Sequence, residues 1–276
     1  MLRLVLLGAL ASTIVLTPIT AVPQELALAG APAIVLPSAP PALSTECRPK
    51  RSVAEFIRRP LRALHRAVFS GRQIRVLAIG SSSTVGVGAS SPSATYVARL
   101  ETTLEGSLKG MDFDVIGRGM SGEVAQGAAD RMKREVEDTK PNLVVWQVGT
   151  NDALRHVGLD QFKSCLRKTL TWLAENKIDV VLVNPQYGDQ LVKDDYYGQV
   201  VAAVAEVAKD MHVLLVDRFQ EMRELQRERG DTFYLTADNL HLNDVGYRCM
   251  AEQLARSIVA ALLQADADGA QPVFLP

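Results

Sequence analysis

Five short stretches of nearly unbroken Val, Leu and Ile punctuate the chain: Ile74–Gly80, Phe113–Gly119, Asn142–Gly149, Asp179–Pro185 and His212–Asp217. Apolar runs of this length, without alternation, fit strands covered on both faces, as in a parallel sheet. Between them, apolar residues recur at helical spacing in AADRMKREVEDTK, LDQFKSCLRKTLTWLAENK and YYGQVVAAVAEVAKD, and again in the closing DVGYRCMAEQLARSIVAALLQ. Strands alternating with amphipathic helices predict right-handed crossovers and a three-layer α/β/α sandwich around a five-stranded parallel sheet.

Open sheets of this kind bind ligands beyond the carboxyl ends of their strands. The residues just past each run are therefore informative. Ser81-Ser82-Ser83-Thr84 comes after the first, Met120-Ser121-Gly122-Glu123 after the second, Thr150-Asn151-Asp152 after the third and Gln186-Tyr187 after the fourth. After the fifth comes a helical stretch and then TADNLHLND. Small and polar groups from separate loops thus converge on one rim.

Of the four histidines, His65 lies in a basic segment and His212 heads a strand, so neither suits a general base. His156 comes after the third run and reads as a surface residue. His241 stands three residues after Asp238 in DNLHLN. On a turn, that spacing lets Nδ1–H donate to the carboxylate, which fixes the tautomer and leaves Nε2 to take a proton from a hydroxyl.

In this order, IGSSST, GRGMSGE, VGTND and DNLH resemble the four blocks of the SGNH/GDSL hydrolase superfamily, over about residues 74–263. The resemblance implies a flavodoxin-like sheet and a serine hydrolase acting on esters, without cofactor or metal. It places the nucleophile on Ser82, where the residues alone leave Ser81, Ser82 and Ser83 open. It places the base on His241 with Asp238 as its orienter. Oxyanion donors fall on the N–H groups of Ser82 and Gly122 and the side-chain amide of Asn151. Two positions depart from the pattern: Ser81 stands for the Asp of the first block and Gly117 for the Asn of the second. A binding protein that holds phosphate or glycan on the serine-rich loop is the rival reading, as is a non-catalytic domain of the same fold.

Bulk properties narrow the partners. The chain has 276 residues, 47% hydrophobic and 22% charged, with a net charge of -1. Nucleic-acid binding relies on a basic surplus that is missing here. The expected substrate is a small acyl ester or an acylated glycan, with O-acetyl groups on carbohydrate favoured and lysophospholipid or thioester as the alternative. A monomer is expected.

The organisation read from composition has four parts. Residues 1–29 form an apolar segment headed by Arg3 and ending in Ala27-Leu28-Ala29, as in a secretory signal, or an uncleaved anchor. Residues 30–72 combine an Ala/Pro-rich linker with a basic arm, which carries seven Arg and one Lys between Arg48 and Arg72 against Glu55 alone. The arm reads as solvated, or as a peripheral contact with an anionic membrane surface. Residues 73–264 form the catalytic domain and 265–276 a flexible tail. Of Cys47, Cys165 and Cys249, the last two lie in helical patterns, where a buried free thiol is the usual state. An exported chain has room for one disulfide and one odd thiol.

Export is testable directly. A reporter active only in the cytoplasm, fused after Pro276, is expected to be silent, and cytoplasmic activity of the fusion would refute the reading.

Overall fold

The computed structural model describes residues 36–50, 60–71, 73–230 and 235–267. Five strands, β1 (Ile74–Gly80), β2 (Phe113–Gly119), β3 (Leu143–Gln147), β4 (Asp179–Val183) and β5 (Leu214–Val216), form one sheet. The order is β2-β1-β3-β4-β5 and every pairing is parallel. This is the flavodoxin-like order, in which the connections reverse direction between β1 and β3. The expected fold class stands.

The central strands are buried on both faces, which explains their unbroken apolar runs. Alternate residues feed two cores: Val76, Ala78, Leu143, Val145, Val181 and Val183 point to one side. Leu77, Ile79, Val144, Trp146, Val180 and Leu182 point to the other. The second face is covered by α4 (Ala125–Thr139), α6 (Leu159–Glu175) and α7 (Asp195–Asp210), which contribute Met132, Leu166 and Val204 among others. The first face carries α1 (Arg62–Phe69), α3 (Tyr96–Ser107) and α9 (Asp244–Ala267), through Leu64, Leu100 and Leu254. Between β5 and α9, α8 (Arg218–Arg229) inserts Met222 and Leu225 into the first core and Phe219 into the second.

The basic arm is corrected by α1. Its cations alternate with residues at positions 61, 64, 65 and 68, and Leu61, Leu64, His65 and Val68 are all buried. Asp179, at the start of β4, accepts the Leu64 N–H at 3.0 Å. The folded unit therefore extends N-terminal of the expected boundary at 73. Part of the Ala/Pro-rich stretch belongs to it as well. Ser44 N–H donates to Glu252 (2.8 Å), Arg256 donates to the Pro41 carbonyl (2.9 Å) and Lys50 N–H donates to Glu228 (2.7 Å). Arg248 pairs with Glu46.

Cys249 is not a free thiol: it is disulfide-bonded to Cys47, 202 residues away in sequence. Cys165 alone of the three remains free and buried. The expected tail boundary also moves, since α9 continues to Ala267 with Ala265 fully buried. The apolar segment 1–29, residues 30–35, 51–59 and 72 of the linker and arm, and residues 268–276 lie outside the described residues.

Because the disulfide ties residues 36–50 to the last helix, Cys47→Ser is expected to cost about 2–4 kcal/mol of stability, a typical value for a native cross-link. Denaturant titration measures it, and limited proteolysis should then cut within 36–50. An unchanged midpoint would show that the strap is held by its hydrogen bonds alone.

Candidate active site

The first loop is shaped by close packing. A single helical turn, α2 (Ser82–Val85), sits directly on the ends of β1 and β2. A Cβ on Gly80 would stand 2.7 Å from the Gln147 carbonyl oxygen, and one on Gly119 would stand 2.4 Å from the Val85 nitrogen. Only glycine leaves room for the turn at both strand ends.

That geometry gives the four hydroxyls different fates. Ser81, Ser83 and Thr84 are buried. Ser81 Oγ and N–H both donate to Gln147 Oε1, at 3.1 and 3.0 Å. Ser83 Oγ accepts from Arg218 at 3.4 Å, and Thr84 Oγ1 shares a 2.9 Å bond with the Tyr96 hydroxyl. Ser82 is the partly exposed one.

The second and third loops meet beside it. Met120 N–H donates to the Gly80 carbonyl (2.9 Å) and brings Gly122 next to the first loop. Gly122 has φ +75° and Gly149, which opens the third turn, has φ +103°, conformations that favour glycine. α5 (Thr150–Leu154) then presents Asn151, whose Nδ2 donates to the Glu123 carbonyl at 2.9 Å. An amide nitrogen carries two hydrogens, so one orients the side chain and the other is left for a ligand. The Ser82 and Gly122 N–H groups make no hydrogen bond to another described backbone carbonyl outside regular elements.

The fourth loop carries the histidine. Asp238 Oδ2 lies 2.8 Å from His241 Nδ1, while its Oδ1 accepts the N–H groups of Leu240 (3.1 Å) and His241 (2.6 Å). The carboxylate faces Nδ1, so this nitrogen carries the proton and Nε2 is the basic one. Bonds from His241 hold the Asp238 carboxyl down at about 2, well below its usual 3.8. A Cβ on Gly88 would touch His241 Cβ at 3.2 Å and the Leu242 carbonyl oxygen at 2.4 Å. Tyr247 donates its hydroxyl to the Val87 carbonyl at 2.7 Å. The histidine loop thus rests on the segment that comes after Ser82. The loops of Ser82, Gly122 and Asn151 leave the carboxyl ends of β1, β2 and β3, and the Asp238–His241 turn packs on the first of them at Gly88.

Beneath them lies a polar layer to which sequence reasoning assigned no role. Gln186 Oε1 accepts from Thr150 Oγ1 (2.8 Å) and Arg218 Nη2 (2.9 Å), and its Nε2 donates to the Leu240 carbonyl (2.8 Å). Asp152, next to Asn151, accepts the Ala125 N–H with both oxygens, at 3.0 and 3.1 Å. Burial raises its carboxyl to about 6. The available signal was positional: Gln147, Gln186 and Arg218 all stand at or just past strand ends in otherwise apolar surroundings.

His156 is on the surface, stacked on Tyr196 at 4.7 Å and bonded to Asp194 at 2.8 Å. The tyrosines after β4 anchor their loop: Tyr197 is buried, and Tyr187 packs edge-on against Phe219 at 5.5 Å.

Residues 46–264 match the model of the Non-GDSL lipase-like family. The chain belongs to this family. As a Non-GDSL lipase-like protein with the SGNH architecture, it is a hydrolase acting on ester bonds. An acetylxylan esterase of Geobacillus stearothermophilus is 25% identical over 198 residues, 65% of this chain and 84% of that protein. Esterase TesA of Pseudomonas aeruginosa is 28% identical over 138 residues, 49% of this chain and 66% of that protein. The crystal structure of Axe2, an acetylxylan esterase from G. stearothermophilus, superposes with a TM-score of 0.56 at 23% identity, covering 67% of this chain and 94% of that one. Catalytic mutants of Axe2 replace a serine, an aspartate or a histidine by alanine, the aspartate and histidine three positions apart.

The two carboxyls should act oppositely on stability. Asp152 is raised in the fold, so its contribution is largest below its ordinary 3.8 and is lost as pH rises through about 6. Asp238 is lowered, so its contribution is present above 3.8 and is lost as pH falls through about 2. Urea titrations of Asp152→Asn are expected to show a smaller loss of stability between about pH 4 and 6 than the parent. Parallel curves would remove Asp152 from the account.

Proposed function

We propose that the protein is an exported serine esterase that cleaves its substrate through a covalent acyl-enzyme at Ser82. The observation that carries this reading is the division of labour among the four hydroxyls. Three are buried and bonded, and the partly exposed fourth stands on the loop on which the Asp238–His241 turn packs. In this reading His241 Nε2 takes the Ser82 proton as Oγ attacks the ester carbonyl. Asp238 steadies the imidazolium, and the carbonyl electrons move onto an oxygen facing the N–H groups of Ser82 and Gly122 and the Asn151 amide. His241 returns the proton to the leaving alkoxide, and a water activated by the same nitrogen releases the acid. A Ser/Asp/His set with the same aspartate–histidine spacing in Axe2 supports these roles. Export is supported by the apolar N-terminus and by a disulfide, which persists in oxidising compartments.

For the substrate, O-acetyl groups on carbohydrate are favoured by likeness to a protein named acetylxylan esterase. A second reading, a longer acyl chain, rests on a surface observation. Among the described residues the exposed large apolar side chains are Phe69, Val85, Val87, Met120 and Leu154, and all but Phe69 stand on the segments that follow β1, β2 and β3. An apolar rim of this kind favours a substrate with an apolar part.

Fluorophosphonate treatment followed by intact-mass analysis is expected to give one adduct on the peptide containing Ser82. Ser82→Ala should lose the adduct and about 10⁴-fold or more of turnover. Ser81→Ala should remain within about tenfold, losing a buried bond to Gln147 that is worth about 1 kcal/mol. An adduct on Ser81 or Ser83 would displace the nucleophile, and a folded protein that takes no label would return the site to the binding-protein reading. Rates on esters of graded chain length separate the substrate readings: a peak at acetyl favours the first, a rise with length the second.

A further inference from the structure

Arg218 opens α8 just past β5 and is 1% exposed. Its Nε donates to the Asn184 carbonyl (3.1 Å), Nη1 to Ser83 Oγ (3.4 Å) and Nη2 to Gln186 Oε1 (2.9 Å). Nη1 also reaches Met250 Sδ at 3.8 Å. Every partner is neutral. The groups in electrostatic range are Tyr96, Tyr197 and Tyr247, and burial keeps each of these phenols protonated, Tyr96 being raised to about 12. Burial pulls the guanidinium down to about 10, so it remains charged at neutral pH.

A buried cation without a counter-anion is expensive, and proteins ordinarily pair it or replace it with apolar bulk. Its position suggests what balances it. One branch of the fork holds Ser83, the neighbour of Ser82. The other holds Gln186, which binds Thr150 beside Asn151 and the Leu240 carbonyl beside His241. Three loops of the site are thus referenced to one planar group. The negative charge missing from the ground state is the charge that ester attack would create on the carbonyl oxygen.

We infer that Arg218 is a positioning residue for the Ser82 reaction, holding the three loops in register and stabilising the oxyanion with a charge that no anion among the described residues neutralises. This role rests on the esterase reading above. It goes beyond the four blocks of the family, because Arg218 belongs to none of them.

A structural role alone would lower stability and leave the folded enzyme's turnover intact. A positioning role has the reverse emphasis. In Arg218→Met, which keeps the bulk, kcat should fall by about 10²-fold with KM changing by less than about threefold. Binding of an aryl boronic acid, which forms an anionic tetrahedral adduct on a serine, should weaken in parallel, while binding of the neutral product alcohol should not. Gln186→Glu gives a second, opposed signature. It sets a carboxylate against Nη2 and gives up the Nε2 bond to the Leu240 carbonyl, so kcat should fall by at least about tenfold, and further than in Gln186→Met, which gives up the same bond without adding the charge. This variant tests the role of Arg218 even where Arg218→Met does not fold. A folded Arg218→Met or Gln186→Glu enzyme with kcat within about threefold of the parent, and with Ser82 still labelled by fluorophosphonate, would overturn this inference alone. A parent enzyme whose Ser82 takes no label would overturn the esterase reading and this inference with it.

Discussion

The site depends on the close seating of α2 against the ends of β1 and β2. Gly80 and Gly119 allow it, since a side chain at either would overlap Gln147, Thr84 or Val85. Seating the turn this low pushes Ser81, Ser83 and Thr84 into the protein, and a buried hydroxyl must find a partner. Gln147, Arg218 and Tyr96 are those partners. Much of the polar layer under the site stems from that requirement. Gln186 and Arg218 would be misplaced in an ordinary apolar core, yet here each satisfies several groups at once. The buried chain of bonds from Ser83 through Arg218 and Gln186 to Thr150 rigidifies what it connects.

Electrostatics at the edge of the sheet show how environment, rather than residue type, sets behaviour. Asp152 and Asp238 are both carboxylates on loops of the site. Asp152 is buried beside an apolar helix end, and the loss of water outweighs its bonds to Ala125, so its proton is held more tightly. Asp238 keeps its water and gains bonds from His241 and Leu240, so its proton leaves more easily. The first suits a structural tie between two loops. The second suits a permanent negative partner for the imidazole.

The N-terminal part of the chain plays a larger role than its composition suggests. The strap of residues 36–50 lies along α9, fixed by the disulfide and by bonds to Glu252, Arg256 and Arg248. α1 turns Leu64 and Val68 inward, as does Leu61 just before it, and keeps Arg62 and Arg66 outside. Both pieces bear on the first core rather than on the site. They stabilise α9, which comes directly after the Asn243 N–H bond to Leu235 at the end of the histidine loop and holds the segment after Ser82 through Tyr247.

The sequence by itself determined the sheet and the loops on which the candidate residues lie. Strands buried on both faces must be apolar throughout, and parallel strands need helical crossovers, so the periodicity of the chain already carried the architecture. The Asp238–His241 pair was legible because its geometry is local, with three residues of one turn supplying the whole bond. Choosing Ser82 among three neighbouring serines needed the family resemblance, because adjacent hydroxyls differ only in which one the turn turns inward. Tertiary structure alone decided the rest. Cys47 and Cys249 meet across 202 residues, and no local pattern encodes a long-range pairing. Leu61, Leu64 and Val68 read as the stems of a basic arm until β4 and α9 are there to cover them. Gln147, Gln186 and Arg218 are single polar residues at strand ends, each ordinary alone. Their importance comes from burial, where each donor must find an acceptor.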